Sequence, residues 1–132
     1  KKIQIEARVL GDLVMNHIIP VATSYQSTLI DNVYKMRDLF PADKAARLSA
    51  KNLEIIEEIA EREIAIKAKV DELVEARKVA NRIANEREKA IAYHDVIAPK
   101  LDEIRYHIDK LELAVDDRLW TLPKYRELLF VR

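Results

Sequence analysis

The chain has 132 residues, with 23 Lys and Arg balanced by 23 Asp and Glu, so its formal net charge at neutral pH is zero. That length is one domain's worth with a core of modest size, and the balance argues against a dedicated nucleic-acid surface or an anionic membrane, which need clustered excess Lys and Arg. The absence of cysteine excludes disulfide and thiolate chemistry and fits a cytoplasmic protein.

One glycine and four prolines leave little turn chemistry, and the apolar residues are mainly Ile, Leu, Val and Ala. This is the composition of long helices that alternate a buried face with a charged one. No apolar run approaches the roughly 20 residues a spanning helix needs, and no signal-peptide pattern opens the chain. It begins KKIQIEARVL, without an initiator Met and already in helical register, and so reads as a piece excised from something longer.

The first element is expected over about 3–40. Ile3, Ala7, Leu10, Val14, Ile18, Val21, Tyr25, Leu29, Val33, Met36 and Phe40 recur in steps of three or four, the period of a helix with one buried face. Gly11 inside it costs about 1 kcal/mol against Ala, and a close helix contact is one explanation. Pro20 lacks an amide hydrogen and its ring clashes with the carbonyl of Asn16, so a kink or break is expected near His17 to Pro20. The stripe keeps its phase across the proline, which favours the kink.

Pro41 ends this helix, because the residue before a proline is pushed away from helical angles. Asp43, or else Ser49, is a candidate N-cap for a second helix over about 44–83. Leu48, Ile55, Ile56, Ile59, Ile66, Val70, Leu73 and Ala80 form its expected buried face, with Glu63 and Arg77 close to that stripe. Glu63 and Lys67 lie four apart with the acid first, a favourable helical pair. Ala84 and Asn85 make the next turn, Asn85 capping and Glu86 and Glu88 following in the first turn.

The third helix, about 86–116, is expected to run through Ala90, His94 and Ile97 with a kink at Pro99. Its later part carries Ile97, Leu101, Ile104, Ile108, Leu111 and Val115 on one narrow stripe. Such a stripe cannot be buried by a lone helix in water and requires the two helices before it. The closing segment RLWTLPKYRELLFVR, residues 118–132, crowds Leu119, Trp120, Leu122, Tyr125, Leu128, Leu129 and Phe130 around Pro123. A solvated tail would not have this composition, so it folds back across the bundle or docks on another surface. The fold class expected is all-α: one domain over 1–132, an elongated antiparallel bundle of three long helices, the first and third kinked at proline, with an apolar C-terminal docking tail.

Site chemistry is sparse. His17, His94 and His107 fall on different helices or helical faces and form no zinc or di-iron motif. Glu103 and His107, four apart, read as an exposed pair, and His94 as a core or helix-interface residue. Ser24, Ser27 and Ser49 have no histidine and acid arranged as a triad, and one glycine cannot build a phosphate loop. Arg77, Arg82 and Arg87 are balanced by Glu75, Glu86 and Glu88. Trp120 and Tyr125 would suit a partner's hot spot or burial against the chain's own helices. No catalytic, cofactor-binding or metal-binding residue is assigned.

Three stretches carry a family resemblance: IEARVLGDLVMNHIIPVATSYQSTLIDNV, then VEARKVAN with EREKAIAY, and the closing EIRYHIDKLELAVDDRLWTLPKYRELLF. Together they resemble the C-terminal region of type III glutamine synthetases, the large bacterial form of glutamate–ammonia ligase. The resemblance implies a parent enzyme that condenses glutamate and ammonia to glutamine using ATP and Mg or Mn. It further implies a cytoplasmic homo-oligomer of stacked hexameric rings, with catalysis on a β-rich domain absent from this chain. On that reading the chain is an inactive helical extension, in contact with the rest of the enzyme and neighbouring subunits. The alternatives are a free-standing helical interaction module and a small helical enzyme or metal protein.

Overall fold

The computed structural model describes residues 2–115. Those residues form three helical rods and, among them, no strand. The first rod comprises α1 (Lys2–Leu13), a π-helical turn (Val14–Ile18) and α2 (Ile19–Leu39). The second is α3 (Ala42–Asn81), whose 40 residues span about 60 Å at 1.5 Å per residue. The third comprises α4 (Glu86–Ala92), a second π-helical turn (Tyr93–Ile97) and α5 (Ala98–Ala114).

The turns between rods are short and follow from local sequence. Phe40 is extended, at φ −124° and ψ 159°, as a residue before proline should be. Pro41 starts α3, so Asp43 sits in its first turn and does not cap it, and Ser49 lies inside the helix. At the second turn Asn85 accepts from the Glu88 amide at 2.9 Å, the expected side-chain cap, with Glu86 and Glu88 placed favourably toward the helix dipole.

Both prolines inside helices have the same surroundings. A five-residue π turn ends two residues before Pro20, and another ends two residues before Pro99. The Ile19 amide bonds back to Val14 and the Ala98 amide to Tyr93, five residues earlier in each case. Widening the turn by one residue lets the helix continue past a residue that has no amide hydrogen and crowds the preceding turn. The helix therefore runs on through each proline.

Cross-helix bonds fix the antiparallel register of neighbouring rods. Thr23 meets Glu63 and Gln26 meets the Ile56 carbonyl, while Gln4 at the other end reaches Asn81. Between the second and third rods the pairs are Arg62 with His107, Lys69 with Glu103, Glu72 with Lys100 and Asn81 with Tyr93. Arg105 of α5 pairs with Glu6 of α1 and closes the triangle.

One apolar cluster runs between the three rods. Val14, Ile59, Ile66, Ile97, Ile104, Ile108 and Leu111 have no exposed surface, and Leu101 has 1%. The stripe expected on the third helix is thus fully covered. At about 25 cal/mol per Å² of apolar area removed from water, that burial is the main stabilising term.

Three details differ from expectation. A Cβ built on Gly11 would meet nothing within 4 Å, so no close contact explains the glycine. Leu48 is exposed, and the small Ala45 and Ser49 are buried in its stead. The third helix ends at Ala114, with Val115 extended. The apolar tail expected over 118–132 lies outside the described residues.

Candidate functional site

Polar chemistry concentrates on the seam between α3 and α5. Arg62 donates from Nε to Glu58 at 2.8 Å and from Nη1 to Nδ1 of His107 at 3.0 Å. Because a guanidinium can only donate, Nδ1 must be the unprotonated nitrogen and the ring neutral. The Tyr106 ring stands edge-on to His107, centroids 5.3 Å apart, and Arg62 and Lys110 both approach its face. One turn back along α5 Glu103 pairs with Lys69 at 2.8 Å, and about two turns back Lys100 pairs with Glu72 at 3.5 Å.

These groups shift one another's protonation in consistent directions. Burial first, then the charges of Arg62 and Lys69, hold His107 below the ordinary imidazole range, and Glu103 opposes them. The hydrogen bond and charge of Lys69 hold Glu103 below the usual carboxylate range, and the same contact raises Lys69. Its bond to Glu58 raises Arg62. Lys69, Asp102, Glu103, Tyr106 and His107 line an open dish on the surface. Lys69 in this dish is already engaged by Glu103 and Glu72, so the arrangement clamps two helices together.

The other residues singled out in the sequence are dispersed. His17 is exposed on the first π turn, and His94 is exposed on the second, 3.0 Å from Asp95. The interface position expected for His94 is occupied by Tyr93, 5% exposed, whose hydroxyl donates to Asn81. The π turn is the cause: with more residues per turn, the side chain beneath Ile97 is four positions back, not three. Ser24 and Ser27 are exposed, and Ser49 is 1% exposed with its hydroxyl unpartnered.

Glu103 and His107 do not pair with each other but turn to separate partners on α3. Glu63 likewise accepts from Thr23 at 2.7 Å in place of pairing with Lys67. Arg77 is half-buried with its Nε unpartnered. Trp120 and Tyr125 lie outside the described residues. No local pattern could have revealed the Arg62–His107 pair, whose members are 45 positions apart.

The residues present do not fit ATP or a divalent metal. Among the described residues no three His, Cys, Asp or Glu are grouped to hold an ion, and Gly11 lies within a helix, where it cannot form a phosphate cradle. Among the described residues no helix is long and apolar enough to cross a membrane.

Comparison with known sequences agrees with the resemblance read from the three quoted stretches. Residues 1–37 match the family described as "Glutamine synthetase C-terminal domain". A relative from Bacteroides fragilis named "Glutamine synthetase" is 51% identical over 131 residues, covering 99% of this chain and 18% of the relative. One from Dictyostelium discoideum, named "Type-3 glutamine synthetase", is 26% identical over all 132 residues, again 18% of the relative's length.

Proposed function

Since the chain is related over its whole length to glutamine synthetases and opens with their C-terminal domain, we propose that it is the helical C-terminal domain of a longer type III enzyme. The observation that carries this is the 51% identity along 99% of the chain, set against a span of only 18% of that relative. The parent condenses glutamate and ammonia to glutamine with ATP and divalent metal, on residues outside this chain. The domain itself does no chemistry. It braces the subunit and contacts the remainder of the enzyme and its neighbours in a cytoplasmic oligomer.

Two features support a bracing role. The seam between α3 and α5 is locked by the charge pairs Lys69–Glu103 and Lys100–Glu72 and by the Arg62–His107 hydrogen bond. On α1, Ile5 and Val9 lie one turn apart and are 61% and 59% exposed, away from the buried stripe at Ala7 and Leu10. Adjacent exposed apolar groups of this kind mark a contact surface, and here they sit beside the end at which a preceding domain would join. The bends expected at Pro20 and Pro99 belong at the two π turns, which would let the first and third rods curve together around α3.

The test is the coding sequence upstream of the codon for Lys1, together with an assay of the 132-residue chain. A preceding β-rich domain and no ATP-dependent glutamine formation by the chain alone are the expected results. An open reading frame starting at Lys1 would favour a free-standing interaction module, and turnover by the chain alone would refute the assignment of catalysis elsewhere.

A further inference from the structure

The three rods are of unequal reach. The third pairs with α3 from Asn81 back to Arg62, where His107 meets it. Continued in the same register, its last turns bring Val115 alongside Ile55. The apolar cluster stops at the same level: it includes Leu29 and Ile59, with Tyr25, Ile55 and Ile56 packed against its edge, and nothing nearer the Phe40–Pro41 turn. Beyond it, α2 and α3 continue as a two-helix arm.

The arm carries the third rod's contact face onward. On α3, Ile66, Arg62, Ile59, Ile55 and Leu48 follow one another at steps of 4, 3, 4 and 7 on one side of the helix. Ile66 and Ile59 have no exposed surface, whereas Leu48 is 44% exposed. On α2 the side bearing Tyr25 continues to Met36 and Leu39, and Leu39 is 73% exposed. The side of α3 turned toward α2 is closed, with Ala45 and Ser49 each 1% exposed. The face in line with the third rod is open.

We propose that this face is covered by the chain's own C-terminal segment, residues 116–132, laid along the arm of the same molecule. The third rod runs toward the Phe40–Pro41 turn, so Val115 stands at the foot of the open face. The remaining arm, from Leu29 to Leu39, is about 15–20 Å long at the helical rise, and 17 residues span about 25 Å even at that most compact spacing. The segment brings Leu119, Trp120, Leu122, Tyr125, Leu128, Leu129 and Phe130, the apolar surface that Met36, Leu39 and Leu48 lack. Tethering at Val115 gives it an effective concentration in the millimolar range, which a second copy would have to exceed. The inference rests on the arm's geometry and is independent of the family assignment.

Trp120 is the chain's sole tryptophan and there is no cysteine, so one quenching label reports on one distance. A nitroxide on Lys51→Cys, exposed at the rim of the open face, should lower Trp120 emission severalfold, unchanged on dilution, while the same label on Val9→Cys leaves it unaltered. Ending the chain after Val115 should accelerate amide exchange severalfold over 30–52 and leave 66–80 as before. Absence of quenching from Lys51→Cys, equal quenching from both sites, or quenching that disappears on dilution (the mark of a second copy) would each overturn the proposal.

Discussion

Nδ1 of His107 on α5 accepts a hydrogen bond from Nη1 of Arg62 on α3, 3.0 Å away, and a permanent cation thereby faces an imidazole that burial already disfavours charging. The pair joins two rods at the level where the third begins its last two turns, so its protonation state bears on how the bundle holds together.

Folding lowers the pKa of His107, so below the ordinary value of 6.5 the unfolded chain takes up the proton more readily than the folded one. Its contribution to stability is complete above about pH 6.5 and is lost as pH falls through the folded value. His107→Gln, which keeps an acceptor for Arg62, should flatten the decline in melting temperature between neutral pH and about pH 5. Glu103, whose pKa is also lowered but from 4.5, loses its contribution only in more acidic solution. Thermal melts of both proteins across that range provide the check.

Ile104→Ala should cost about 2–5 kcal/mol, because the side chain is wholly buried and its removal leaves a cavity. In the chain ended after Val115, Leu48→Ala, at a position 44% exposed, should cost well under that, about 1 kcal/mol, since much of its surface is then in water. Urea unfolding of the two variants measures the difference. Equal losses in that shortened chain would mean that residues 2–115 alone cover the arm as tightly as the three-rod region.

Gly11→Ala should stabilise the chain by about 0.5–1 kcal/mol, since Ala is the better helix former and less free in the unfolded state. The space a Cβ would enter is empty and Gly11 has no positive φ. A raised denaturation midpoint with an unchanged slope is the expected reading.

Asn85→Ala removes the side-chain cap of α4, the 2.9 Å contact with the Glu88 amide. The expected loss is about 1 kcal/mol. Amide exchange of Glu88 should accelerate more than exchange across α5, because the cap acts on the first turn alone.

Much of the fold was legible because helical periodicity is a local property. Apolar steps of three and four marked all three rods to within about two residues, and Pro41 and Asn85 marked the turns between them. The site was less legible. His94 was assigned to the wrong face because the π turn that displaces it answers Pro99 five positions further on. Glu103 and His107 looked like a pair within one helix because their true partners, Lys69 and Arg62, lie on another.

By itself the sequence determined that these residues form long amphipathic helices, where those helices stop, and to which enzyme family they are related, since each depends on residues near one another in the chain. Tertiary structure decided which rods lie side by side and in what register, and hence that Arg62 faces His107, that Gly11 faces open space and that Leu48 lies beyond the three-rod core. The physical reason is reach: a helix presents its stripe over its whole length, but only as much of that stripe is buried as its neighbours extend to cover.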